Sequence, residues 1–180
     1  GRDGSKVAAA ITKWVAQLDK SDKEYEHHLL EALWVSWGIN KIDSNLVETV
    51  LKSKDFRARA AATRAVRYNA DKLSKAIDYL MTSAADPHPQ VRHEAIVGAS
   101  WMGATAGPQI IDKAAEMPVG RDMKDAVNYG RAHSQGEKYI KGGKKPKFVY
   151  PKHLRGSKDK ELLALYKEGK HLYEHGENCA

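Results

Sequence analysis

Asp86-Pro87-His88-Pro89-Gln90-Val91-Arg92, with Ala95 following, lies 33 residues beyond a stretch of the same kind. The shift lays Phe56-Arg57-Ala58-Arg59 over Pro89-Gln90-Val91-Arg92, and it pairs Ala62 with Ala95, Ala65 with Gly98, Val66 with Ala99 and Tyr68 with Trp101. Ser53 falls on Asp86, and both are residue types that cap helices. Glu31-Ala32-Leu33 stands 63 residues before Glu94-Ala95-Ile96, close to two such periods. Self-similarity at this spacing is the mark of a repeated supersecondary unit. Small residues at the inner positions let neighbouring helices approach closely. One helix pair cannot cover its own apolar face, so stacked neighbours must supply the cover. The expected fold is therefore all-α, a right-handed α-α superhelix of helix pairs. A plain helical bundle is the alternative.

Hydrophobic periodicity places the helices around this centre. Val7 to Leu18 carries Ala10, Trp14 and Leu18 along one stripe. Asp22 offers an N-cap for a helix to about Gly38, with Leu29, Ala32, Leu33 and Ser36 inward and Leu30 and Trp34 on a second apolar side. Asp43 or Ser44 caps a short helix through Leu46, Val47, Val50 and Leu51. Phe56 to about Tyr68 turns Ala58, Ala62, Ala65 and Val66 inward, leaving Arg57, Arg64 and Arg67 on the solvated side. Further helices are expected over Asp71 to Ala85 (Leu73, Ile77, Leu80 and Met81 inward), Pro89 to Met102, Pro108 to Met117 and Arg121 to Arg131. The four tryptophans, at 14, 34, 37 and 101, fall on helical stripes and read as core.

From Ser134 to Ser157 the helical period is lost. Gly136, Gly142, Gly143, Pro146, Pro151 and Gly156 punctuate a run containing Lys141, Lys144, Lys145 and Lys147. Such a stretch reads as a linker. Asp159 then caps a last helix with Leu162, Leu165, Tyr166, Gly169, Leu172 and Tyr173 at helical spacing. The organisation expected is a solenoid over 1–133, a basic linker over 134–158 and a C-terminal helical segment over 159–180.

Charge follows the same division. The chain of 180 residues has a formal charge of +7, yet residues 1–130 are within one unit of neutral, and the excess is concentrated in 131–170. No apolar run approaches the ~18 residues a membrane span requires. Gly1-Arg2-Asp3-Gly4 has no signal-peptide pattern and no Met, and reads as the start of an internal segment. Cys179 is the only cysteine, so the chain holds no internal disulfide and no cysteine-rich metal site.

The stretch around Asp86 resembles the second-helix signature of HEAT repeats, in which the Asp caps, the Pro fixes the direction of approach, and the Val and Arg begin the helix. Tyr25-Glu26-His27-His28-Leu29-Leu30-Glu31-Ala32-Leu33-Trp34-Val35 and Asp55-Phe56-Arg57-Ala58-Arg59-Ala60-Ala61-Ala62-Thr63-Arg64 resemble segments of a larger family. These are the haem-binding CxxCH proteins of planctomycetes and verrucomicrobia, often called membrane-bound dehydrogenases. Gly169-Lys170-His171-Leu172-Tyr173 followed by Gly176-Glu177-Asn178-Cys179-Ala180 resembles the start of their class I c-type cytochrome domain. The resemblance covers about residues 22–103 and 160–180, and the basic segment between Val119 and Lys160 departs from it. It implies a β-propeller before the solenoid and a cytochrome after it, in an exported or periplasmic protein that passes electrons to covalent haem c. Cys179 would be the first haem-attachment cysteine. The second cysteine and the proximal histidine of CxxCH do not follow within this chain.

No catalytic constellation is legible. There is no Ser/His/Asp or Cys/His arrangement, and no glycine-rich phosphate loop follows a strand. Adjacent His27 and His28 point about 100° apart on a helix and cannot share one ion. His171 and His175 are i, i+4, but no HExxH or carboxylate completes a site. His88 and His93 read as loop and surface residues, and Glu31, Glu48 and Glu94 as helix-surface charges. Three functions stay open: a scaffold segment of an exported redox protein, a generic protein-docking solenoid, and a nucleic-acid binder. The last would use Arg57, Arg59, Arg64, Arg67 and the lysines of 138–160 against phosphates. Near-neutral charge in the helical body speaks against it.

Overall fold

A computed structural model describes residues 3–139, apart from the side chains of residues 121 and 122. It contains α1 Gly4–Ala16, α2 Tyr25–Gly38, α3 Ser44–Val50, α4 Phe56–Tyr68, α5 Ala76–Ala84, α6 Pro89–Ala99, α7 Gly103–Ala115 and α8 Arg121–Ser134. Among the described residues there is no strand. The even-numbered helices touch in succession, α2 to α4, α4 to α6 and α6 to α8, while α5 packs on α7 in a second layer. The contact between α4 and α6 is the most extensive. The described residues form an all-α, solenoid-like stack of helix pairs. The compact unit ends at Tyr139, a little beyond the boundary expected at 133. The rest of the basic linker and all of 159–180 lie outside the described residues.

The repeat is visible in what is buried. Leu29, Ala62 and Ala95 occupy one inner position at steps of 33; Ala32, Ala65 and Gly98 occupy the next, and Leu33, Val66 and Ala99 a third. All nine side chains or glycines are buried. The offset of 63 that matches Glu31-Ala32-Leu33 with Glu94-Ala95-Ile96 is therefore not the structural register. It aligns similar letters, whereas the packed faces of α2 and α6 are 66 apart. Between α6 and α8 the step shortens to 32, pairing Val91 with Met123, Ala95 with Val127 and Gly98 with Gly130. The second layer repeats as well: Leu46, Val47 and Val50 correspond to Tyr79, Leu80 and Ser83, and then to Ile110, Ile111 and Ala114. Fully burying each large aliphatic here, such as Leu33, Leu80 or Ile111, contributes about 1.5–3 kcal/mol.

Close approach explains the small residues. A Cβ on Gly98 would stand 2.7 Å from Leu80 Cδ2, and one on Gly107 would stand 2.6 Å from Ser134 Cβ and 2.7 Å from the Ala99 carbonyl oxygen.

α4 and α6 start at Phe56 and Pro89 as expected, but their caps lie two residues after Ser53 and Asp86. Asp55 caps α4, its carboxylate accepting from Arg57 N at 2.8 Å, and His88 caps α6, its Nδ1 accepting from Gln90 N at 3.2 Å. Ser53 and Asp86 do not cap. They serve the joint between helix pairs instead. Asp43 caps α3 as expected, accepting from Asn45 N and Leu46 N. Ahead of α2, Asp22 accepts from Glu24 N, and Glu24 is the N-cap without a side-chain bond.

Three helices differ from expectation. α1 starts at Gly4 rather than Val7, and Ile11, Val15 and Leu18 pack against the core while Ala10 and Trp14 are exposed. α5 begins at Ala76, not Asp71, and Ile77 points to solvent at 49% exposure. Ala76, Tyr79, Leu80 and Ser83 form its inner stripe. Both stripes have helical spacing, and contact with α4, α6 and α7 selects between them. α7 begins at Gly103, whose φ of +74° suits glycine, and continues through Pro108. The proline lacks an N–H and so removes one backbone hydrogen bond from the helix interior.

Candidate docking surface

Three equivalent residues on successive even helices join each pair to the next: Glu26, Arg59 and Arg92. Glu26 accepts from Ser53 Oγ, from Lys54 N at 3.0 Å and from Asp55 N at 3.1 Å. Arg59 donates Nη1 to the carbonyls of Ser53 (2.8 Å) and Lys54 (3.0 Å), and its Nε and Nη2 grip the Asp86 carboxylate at 2.6 and 3.0 Å. Arg92 repeats the first half of that pattern, donating Nη1 to Asp86 O and Pro87 O. Its Nη2 meets only the Pro118 carbonyl at 3.0 Å, and its buried Nε has no partner. With the step shortened to 32, the residue at the register of Asp86 is Pro118, and Arg92 meets its carbonyl where Arg59 meets a carboxylate.

These joints set the carboxylate pKa values. The hydroxyl of Ser53 holds Glu26 below its ordinary range. Burial pushes Asp86 up, but hydrogen bonds from Arg59 and from His88 N outweigh it, and the net direction is down. In the second layer Glu48 accepts from Tyr79 OH at 2.8 Å and Lys75 Nζ at 3.0 Å, which lowers it. Burial, with Glu48 beside it, raises Tyr79 to about 12. Glu94, read from the sequence as a surface charge, is buried at 7% exposure and paired with Arg64.

The arginines proposed for phosphate contacts are therefore largely engaged. Arg57 is held by Asp55, Arg59 by Asp86 and Arg64 by Glu94. Only Arg67 of the four has no carboxylate among the described residues. Its guanidinium lies 4.2 Å from the Tyr68 ring centroid and donates to Tyr68 OH.

Tyr68 belongs to a cluster of rings that includes tryptophans expected in the core. None of the four tryptophans is buried: Trp14 and Trp101 are exposed, Trp101 at 65%, and Trp34 and Trp37 are half-buried. Trp37 stacks on Tyr68 at 5.3 Å, and Trp34 lies 5.4 Å from Trp37. One register step on, Trp101 packs against His133 at 4.6 Å, with Tyr129 at 6.0 Å from the same imidazole. His133 Nδ1 lies 2.8 Å from the Ser100 carbonyl oxygen, which it reaches as an N–H donor. All these rings stand near the C-terminal ends of α2, α4, α6 and α8 or just beyond. The signal was present in the 33-residue pairing of Tyr68 with Trp101, but equal spacing does not say which side of a helix faces solvent.

A shallow cleft of about 430 Å³ opens between α2 and α3, lined by Tyr25, Glu26, Leu29, Glu48, Lys52 and Ser53 among others. Its two carboxylates are already satisfied, as described above. His27 lies 3.9 Å from Glu31, while His28 meets the edge of Trp14. Among the described residues no three metal-ligating side chains come together. Cys179, His171 and His175 lie outside the described residues. No described helix is long and apolar enough to cross a membrane.

Fold and surface define the class: a solenoid of helix pairs, joined by polar rungs and edged by exposed rings. Comparison with protein-family models, with curated proteins and with solved structures finds no match to this chain.

Proposed function

We propose that the chain is a non-catalytic docking scaffold, a HEAT-like segment of an exported redox protein that leads toward a c-type haem domain. The observation that carries the scaffold reading is the edge of rings. Tyr68, Trp101 and Tyr129 stand exposed near the ends of α4, α6 and α8, with Trp37 half-buried beside Tyr68, while Arg59 and Arg64 of α4 are paired with carboxylates of the next helix pair. An exposed aromatic patch of this kind marks an interaction surface.

The redox half rests on the resemblance of Tyr25–Val35, Asp55–Arg64 and Gly169–Ala180 to the haem-binding CxxCH proteins. It implies that neighbouring domains of the same protein, a propeller and a cytochrome, are partners of this segment. The chain supplies one thioether cysteine, Cys179, and neither the second cysteine nor the axial histidine of the motif. It does not by itself fit the haem, and no step is routed through it. Nucleic acid has less support, because three of the four candidate arginines already have carboxylate partners.

The test is to express the chain with its genomic continuation in a host that attaches c-type haem. The expected result is covalent haem in the pyridine haemochrome spectrum, strongly reduced by Cys179→Ser. A continuation without Cys-x-x-Cys-His, or haem-free protein, overturns the redox half.

A further inference from the structure

We propose that α1–α3 open as one unit from α4–α8, which stay folded, and that two glutamates, Glu26 and Glu48, latch the two parts together. The inference is independent of the redox and docking readings.

Packing is the first argument. In the second layer α5 lies against α7, whereas α3 makes no comparable contact with α5. In the first layer α4 packs more extensively on α6 than on α2. Leu80, Ile96, Ile110 and Ile111 are fully buried within α5–α7, and in α1–α3 only Leu33 matches them in size and burial. α1 has no buried residue, and its Ile11 and Val15 are covered only in part. The cleft of about 430 Å³ between α2 and α3 lies in this same part of the stack. Segments with few buried apolar contacts open at lower free energy than the core, as contiguous cooperative units.

The links across the boundary are the second argument. Glu26, in the first turn of α2, accepts from Ser53 Oγ, Lys54 N and Asp55 N. Arg59 of α4 holds the same segment from the other side through the Ser53 and Lys54 carbonyls. Glu26 is therefore a tie that opening must break. In the second layer Glu48 of α3 accepts from Tyr79 OH of α5 and from Lys75 Nζ, bridging where apolar packing does not. At the far end of α2, the stack of Trp37 on Tyr68 and the bond from Lys72 Nζ to Asn40 Oδ1 complete the boundary. Hydrogen bonds to a charged group contribute more than neutral ones, so the two carboxylates dominate the polar links.

The test is native-state hydrogen exchange of the whole chain at rising urea, read peptide by peptide. Amides of α2 and α3 should share one opening, about tenfold or more frequent than that of α6 and α7, with a shallower urea slope. Glu26→Gln and Glu48→Gln should each speed exchange in α2 and α3 about tenfold and leave α6 and α7 unchanged. Glu31→Gln, which alters an exposed carboxylate of the same helix, should change neither region. A single exchange free energy and urea slope from α2 to α8 overturns the proposal. So do latch variants that speed α6 and α7 equally, a Glu31→Gln effect as large as theirs, or fast exchange confined to α1, which is the fraying of a terminal helix.

Discussion

Arg59 and Arg92 stand at the same place in successive helix pairs, and each bonds the same two backbone carbonyls ahead of its own helix. Beyond that they part. Arg59 reaches a carboxylate of the following pair, Asp86, whereas Arg92 reaches the Pro118 carbonyl and leaves Nε unpartnered. The backbone half of the rung comes with the helix-pair geometry. The charged half depends on one residue, an aspartate at 86 and a proline at 118. Glu26 shows the same freedom with the polarity reversed, because it accepts where the arginines donate.

Replacing the two arginines tests this difference most strongly. Arg59→Met strands the Asp86 carboxylate, and removing one partner of a buried pair costs about 3–5 kcal/mol. Arg92→Met strands only carbonyls, each worth about 1–3 kcal/mol at most when left unsatisfied. Urea unfolding should rank Arg59→Met clearly lower in stability. Equal losses would break the comparison.

Glycines at the two joints differ in a related way. Gly107→Ala drives a Cβ into the Ala99 carbonyl, a backbone atom that cannot move alone, and should lose about 1–3 kcal/mol. Gly98→Ala meets the flexible end of Leu80, and the helix propensity gained, about 1 kcal/mol, offsets much of the strain. A Gly98→Ala loss as large as that of Gly107→Ala would show that the contact between α5 and α6 has no slack.

Val119→Asp places a carboxylate as far along the chain from Arg92 as Asp86 is from Arg59. In a double-mutant cycle with Arg92→Met it should couple to Arg92 by about 1 kcal/mol or more. Zero coupling would mean that the shortened step of 32 residues has moved position 119 out of reach.

Acid and alkali should act on different groups of the stack. Glu26, Glu48, Asp55 and Asp86 are lowered in the fold. Their contribution is full above the unfolded values, 3.8 for Asp and 4.5 for Glu, and is lost as pH falls through the folded values. Tyr79 has the opposite sign. Raised from 10.0 to about 12, it contributes fully below 10 and loses that contribution as pH rises toward 12. Tyr79→Phe should remove this alkaline limb and cost about 1 kcal/mol near neutrality. An unchanged alkaline limb would place its origin elsewhere.

The amino-acid sequence alone determined the all-α class, the 33-residue step between α4 and α6, and the inner faces Leu29/Ala32/Leu33/Ser36 and Ala58/Ala62/Ala65/Val66. These are local facts, because apolar spacing and small residues at fixed intervals select helices that must be covered. It could not determine which of two helical stripes on α5 faces inward, so Ile77 was placed in the core and Tyr79 was missed. Nor could it tell that Ser53 and Asp86 serve the next helix pair, that Glu94 is buried, or that the tryptophans line an edge. A periodic pattern states that a face exists, and only the packed neighbours decide which face is covered. For the same reason the candidate docking edge became visible only once α2, α4, α6 and α8 stood side by side, bringing residues about 33 apart in sequence into one row.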